Sequence, residues 1–122
     1  MFEIEVTKKF QAAHALYDYK GQDEAEHIEQ WTVKVRAEAN ELDQAGCVLD
    51  FHEVDEVLNK ILQPVIDKSF NQLEAFKTIS PSAENIAKFL FGELAKHFDS
   101  SRVKISKVFA FESDTHSASY FE

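Results

Sequence analysis

Two stretches of this chain alternate apolar and polar residues with a period of two, and each carries a histidine at one end of its apolar face. Trp31, Val33, Val35, Ala37 and Ala39 interleave with Thr32, Lys34, Arg36, Glu38 and Asn40, the pattern of a strand buried on one side. Residues two apart on a strand share a face, so the same parity carried backwards puts His27 and Glu29 on the apolar side. Phe2, Ile4, Val6, Phe10, Ala12 and His14 repeat the arrangement along the first segment, interrupted only by Lys8. Between the two, residues 15–26 are mostly polar, with Asp23, Glu24 and Glu26 crowding His27, and read as a loop.

Beyond the second strand, residues 41–46 read as a turn and 47–51 as a short extended segment. The period then lengthens. Val54, Val57, Leu58, Ile61, Leu62, Val65 and Ile66 follow the spacing of an amphipathic helix, with Pro64 as a kink or stop near its end. Residues 70–79 are irregular. Ser80-Pro81-Ser82 then opens a second helix, Pro being suited to a first turn and Ser to an N-cap; its buried face is Ile86, Leu90, Leu94 and Phe98, flanked by Ala87 and Phe91. Two further strands, 103–111 and 115–121, are joined by a tight acidic turn. The order β, β, α, α, β, β predicts an α+β fold: a four-stranded antiparallel sheet with two helices on one face.

Composition narrows the functional classes. At 122 residues the chain is expected to form one domain, 1–122. Its 44% hydrophobic and 29% charged content is that of a globular protein, and no apolar run approaches the length that spans a bilayer. Acidic residues interrupt the N-terminal Met-Phe-Glu-Ile-Glu-Val, unlike a signal peptide, and the single Cys47 has no partner for an internal disulfide. These features predict a cytoplasmic location. A net charge of -9 repels nucleic acid and anionic lipid, so neither a nucleic acid nor a membrane is an expected partner.

Phe10-Gln11-Ala12-Ala13-His14, His27-x-Glu29-x-Trp31, Gly46-Cys47-Val48-Leu49-Asp50-Phe51, Ile66-Asp67, Pro81-Ser82-Ala83-Glu84-Asn85-Ile86-Ala87 and Phe111-Glu112 occur in an order that resembles the 6-pyruvoyltetrahydropterin synthase and 6-carboxytetrahydropterin synthase family. The resemblance runs from about Phe10 to Tyr120. It implies the tunnelling fold, in which subunits of this type join their sheets into a β-barrel, usually as trimers paired into hexamers. It also implies a pterin site between subunits of such a homo-oligomer.

The family holds zinc with three histidines, one after Phe-x-Ala-Ala and two in a His-Gly-His motif. The resemblance places these ligands at His14, His27 and Glu29, with Ile28 at the glycine position. Two His and one Glu form a known catalytic zinc set with an open fourth position. The added negative ligand weakens the metal as a Lewis acid and admits other, harder divalent ions. The alternative is that His14 and His27 are hydrogen-bonded polar residues at the mouth of the sheet.

The family's catalytic cysteine, four residues before the His-Gly-His motif, falls on Asp23, and its Asp-His pair falls on Asp67 and Lys68. The usual proton relay is therefore altered. A carboxylate from Asp23, Glu24 or Glu26 is a candidate replacement acid or base, the alternative being a solvated loop. Lys68 serves as a base only if burial or a neighbouring cation depresses its pKa. Cys47 reads as a small buried hydrophobe.

The family's pterin-anchoring Glu matches Glu112, expected at the end of a strand covered on both faces, with no cation beside it, and accepting two hydrogen bonds from the ring. Its alternative donors are amides of the turn Ser113-Asp114-Thr115. His116 lies just beyond, with exposure in the turn as its default. Ser82 and Glu84 match a Pro-Thr-x-Glu motif and would cap the second helix with or without a ligand. Lys and Arg number 13 against 22 Asp and Glu, and near the motifs only Lys8, Lys9 and Lys68 gather. A dephosphorylated pterin is therefore the more comfortable substrate than a pterin triphosphate. Three functions remain: a divergent metal-assisted lyase acting on a dihydropterin side chain, a catalytically inactive pterin-binding module, and an assembly partner for a true synthase.

Overall fold

The computed structural model describes all residues from Met1 to Glu122. Strands β1 (Phe2–His14) and β2 (His27–Ala39) are followed by helix α1 (Phe51–Leu62), two 3₁₀ turns (Phe70–Gln72 and Glu74–Phe76), helix α2 (Ala83–Phe98), and strands β3 (Val103–Ser113) and β4 (His116–Phe121). The strands form one antiparallel sheet in the order β1-β2-β3-β4. β1 and β2 pair from Phe2 with Ala39 to His14 with His27, so the two histidines meet at one end of the sheet.

The alternation sets the layers. The inward residues Val6, Phe10, Ala12, Trp31, Val33, Val35, Ala37, Val108 and Ala110 are buried beneath the helices, whose own stripes of Val54, Leu58 and Leu62 and of Ile86, Leu90, Leu94 and Phe98 complete the core. Each large side chain so buried contributes roughly 2–3 kcal/mol. The other face of the sheet is polar and open in a single chain. There Arg36 and Lys107 lie over the Phe109 ring at 4.7 and 4.9 Å, and Lys34 over Phe111 at 5.1 Å. The structure thus gathers Lys9, Lys34, Arg36 and Lys107 on one face, although they are scattered along the sequence.

Several local expectations are corrected. Residues 47–50 are not a strand: the Asp50 carboxylate accepts from the His52 amide and N-caps α1, which starts at Phe51. The helix ends at Leu62, not Ile66: Gln63 keeps helical backbone angles, but Pro64 has no N–H to continue the ladder, and the chain goes on in turns in which the Val65 amide donates to the Leu62 carbonyl and Val65 stays buried. Pro81 precedes the N-cap Ser82 and so lies outside the first turn of α2. Cys47 is only half-buried. The irregular 70–79 segment carries Phe70 and Phe76 into the core. There Trp31, Phe70, Phe76 and Phe89 form an edge-to-face series, with ring centroids 5.5, 6.2 and 5.5 Å apart, from the sheet to α2. No helix is long and apolar enough to cross a membrane.

Candidate metal centre

His14 ends the inward stripe of β1 and is 2% exposed. Its ring stands edge-on to Trp31, centroids 4.9 Å apart, and the indole N–H donates to the Ala12 carbonyl at 3.1 Å, fixing the Trp against the strand end. His14 Nδ1 lies 2.8 Å from the Pro81 carbonyl oxygen. A carbonyl only accepts, so Nδ1 carries the hydrogen, and Nε2 is left to face the Glu112 carboxylate at 3.0 Å. His27 repeats the arrangement more loosely, with Nδ1 3.3 Å from the Ala25 carbonyl and Nε2 3.2 Å from Glu29 Oε1. The two imidazoles are 4.6 Å apart, centroid to centroid.

Each histidine is thus bracketed by two acceptors. In the neutral ring the Nε2 lone pair points at a carboxylate, two like-signed groups in contact. A divalent cation among the four groups removes the conflict, as does a second proton on each ring. Single ligand atoms from His14, His27, Glu29 and Glu112 all lie within 4.8 Å of one another, and a carbonyl behind each Nδ1 is the outer support that metal-binding imidazoles use to fix tautomer and orientation. The donor set therefore fits a divalent metal. Ile28, at the glycine position of the motif, is 65% exposed on the opposite face, so its bulk does not intrude.

Glu112 departs from expectation. Its side chain is 38% exposed and touches His14, where a carboxylate without a basic neighbour, covered on both faces, was expected. The turn amides do not hold it: the Thr115 amide donates to Ser113 Oγ. Parity alone puts Glu112 on the inward face of β3. What brings it to His14 is the register, in which Phe111 pairs with Thr32, together with the irregularity between Phe111 and Ser113. Strand order would have been the signal for this contact. The Pro81 carbonyl escaped sequence reasoning because main-chain atoms carry no residue signature.

The remaining candidates lie apart from this cluster. Asp67 has a left-handed backbone, φ 60°, and donates its amide to Gln11 O at 2.7 Å, while the Lys68 carbonyl accepts from the Ala13 amide at 2.7 Å. This segment lies along the outer edge of β1 and lines a cleft of about 280 Å³ with Gln11, Ala13, Glu26 and Ile28. These strand residues belong to the sheet face opposite the histidines. Asp23 accepts from the Asp18 amide and Glu24 from the Leu16 amide, both pinning the loop. Ser82 Oγ accepts from the Asn85 amide and is a helix cap, one residue from the Pro81 carbonyl that holds His14. His116 is exposed and bonded within the turn to Thr115 and Ser113.

Residues 3–122 match the family model described as 6-pyruvoyl tetrahydropterin synthase. No curated protein sequence matches the chain. Among solved structures, a 6-pyruvoyl tetrahydropterin synthase from Caenorhabditis elegans is similar with a TM-score of 0.84 and 24% identity, over 99% of this chain and 95% of that one. A Plasmodium vivax 6-pyruvoyltetrahydropterin synthase, in a variant whose catalytic glutamate is changed to cysteine, gives a TM-score of 0.76 and 17% identity over 99% and 97% of the chains. The Plasmodium falciparum protein gives 0.75 and 17% over the same shares. At these identities the structural likeness establishes the fold, a four-stranded antiparallel sheet with two helices as in the tunnelling fold.

Proposed function

This chain belongs to the 6-pyruvoyl tetrahydropterin synthase family, and from that membership we propose that it is a divergent, metal-dependent lyase acting on a dihydropterin side chain at a site completed between subunits. The observation that carries the proposal is the convergence of His14, His27, Glu29 and Glu112 at one end of the sheet. His14, His27 and Glu29 would hold zinc or a similar divalent ion. Held there, such an ion would supply Lewis-acid chemistry toward side-chain oxygens of the substrate. Glu112 would receive the amino-pyrimidine edge of the pterin, while Ser82, through the start of α2, keeps the wall of the site in place.

Proton transfer falls to carboxylates in this reading. A glutamate is the catalytic residue altered in the Plasmodium vivax variant, which supports a carboxylate standing where many relatives use a cysteine; Asp23 is the candidate by sequence position. Asp67 and Lys68 lie along the outer edge of β1 and outside the cluster of metal ligands of their own chain, so they would reach the reaction only across a seam. The strand order supplies one. β1 and β4 are the two edges and run antiparallel to each other. A ring of copies, each placing β4 beside the next β1, therefore continues the sheet without a break in pairing sense, and brings the partner subunit's Asp67 and Lys68 to the end of the sheet where Glu112 lies.

The distance of Asp67 and Lys68 from the cluster within one chain favours a second reading, an inactive pterin-binding module or an assembly partner for a true synthase. Metal content of the wild type, His27→Ala and Glu29→Ala proteins, followed by turnover of dihydroneopterin triphosphate and of free dihydroneopterin, separates the readings. About one metal per chain, lost in both variants, with turnover of either pterin, is the expected result. Metal and pterin binding without turnover would leave the binding module, and a wild type that takes up no metal from excess zinc would end the metal-assisted mechanism.

A further inference from the structure

We propose that Glu112 is itself a metal ligand in the pterin-free protein, closing a two-histidine, two-glutamate set, so that a pterin ring must displace it from the metal to be held by it. The inference rests on the metal reading above but assigns the carboxylate a second role. Glu112 Oε1 is 3.0 Å from Nε2 of His14, a buried ring whose other nitrogen is committed to Pro81. Glu29 stands in the same relation to His27, at 3.2 Å. Each carboxylate thus faces the Nε2 of one imidazole, Glu112 at the shorter distance and on the more buried ring, and nothing in the geometry makes Glu29 a ligand and Glu112 a bystander. A set half carboxylate and half imidazole also favours harder divalent ions more than a set of three histidines does. With Glu112 on the metal, the fourth position is not open to solvent. Pterin binding opens it by giving Glu112 the ring's N–H groups in exchange.

The test is metal affinity and cobalt(II) absorption of the full-length protein, wild type against Glu112→Gln, which keeps size and a hydrogen-bonding oxygen but loses the charge. Losing an outer partner of a metal ligand costs about 10–100-fold in affinity, so loss of the ligand itself is expected to weaken zinc, read by competition with a chelator, by at least about tenfold, and to alter the cobalt bands. Glu112→His, which supplies a different donor at the same position, is expected to recover affinity relative to Gln. Affinity within tenfold of the wild type, or unaltered cobalt bands, in Glu112→Gln overturns the inference and leaves the three-ligand reading standing. The same holds if Glu112→His, folded by circular dichroism, binds no better than Gln. Failure of the wild type to bind zinc or cobalt overturns both together.

Discussion

His14 and His27 are held in the same way by unlike means: one buried and backed by a carbonyl from the start of α2, the other half-exposed and backed by the loop two residues before it. Trp31 is what fixes the first. Fully buried, it presses its ring edge-on to His14 and donates to the Ala12 carbonyl beside it. Trp31→Phe removes that donor and part of the ring, and should cost roughly 1–3 kcal/mol in urea denaturation with an unchanged slope. It should also weaken metal binding, because the imidazole loses the wall that orients it; unaltered metal affinity in a destabilised variant would show that Pro81 alone positions His14. The His14, His27 and Glu29 grouping was legible because period two fixes which side chains share a face. The place of Glu112 was not, since it depends on the register of β3 against β2 and on a bulge, neither of which leaves a local trace.

At the scale of elements, the start of α2 couples the helix layer to His14 and so to the candidate metal centre. Ser82 caps the helix and Pro81, its neighbour, holds His14. Ser82→Ala is expected to cost about 1 kcal/mol, and Ser82→Gly only a few tenths, with metal affinity falling in the same order as the cap loosens. Equal affinity in all three proteins would uncouple the cap from the site. The cap itself was readable from Ser80-Pro81-Ser82, whereas the start of α1 was not: Asp50-Phe51 reads as the end of an apolar run until Asp50 is seen to cap. The turn before it is also organised by a carboxylate. Asp43 accepts from the Cys47 and Ala45 amides, and these bonds, the Cys47 one foremost, together with nearby Arg102, hold its pKa below the usual carboxylate value. A carboxyl group lowered on folding stabilises the folded state at and above the ordinary carboxylate range, and that contribution is lost as pH falls through the lowered value. The stability difference between wild type and Asp43→Asn should therefore be constant near neutrality and shrink only in acid; a gap that widens in acid would contradict the assignment.

At the scale of the whole molecule, the single chain leaves one sheet face and one sheet edge open. Its open sheet face carries half-buried Phe109 and Phe111 under Lys34, Arg36 and Lys107, and Phe121 at the end of β4 is 61% exposed. Its two edges are unlike. The far half of β1 is covered by the 67–69 segment, through the Asp67 and Ala13 amide bonds and the Ala13–Ser69 bridge, while β4 has no strand beyond it. A bare edge invites another strand, and because β4 runs antiparallel to β1, a head-to-tail ring pairs every copy in the same sense and leaves no edge free. Closure with the helices outside would turn the aromatic and basic face inward and would bring each Asp67–Lys68 toward a neighbour's Glu112. The expected mass in solution is three or six times the 14.0 kDa chain, measured by sedimentation equilibrium across a wide concentration range. Pterin affinity should fall on dilution in step with the assembly if the site is completed by the next subunit, which in the proposed reaction would supply Asp67 and Lys68. A protein that binds pterin equally well as a monomer would place the site wholly within one chain. In that case Asp67 and Lys68, at the outer edge of β1 and apart from the cluster, would have no part in the reaction.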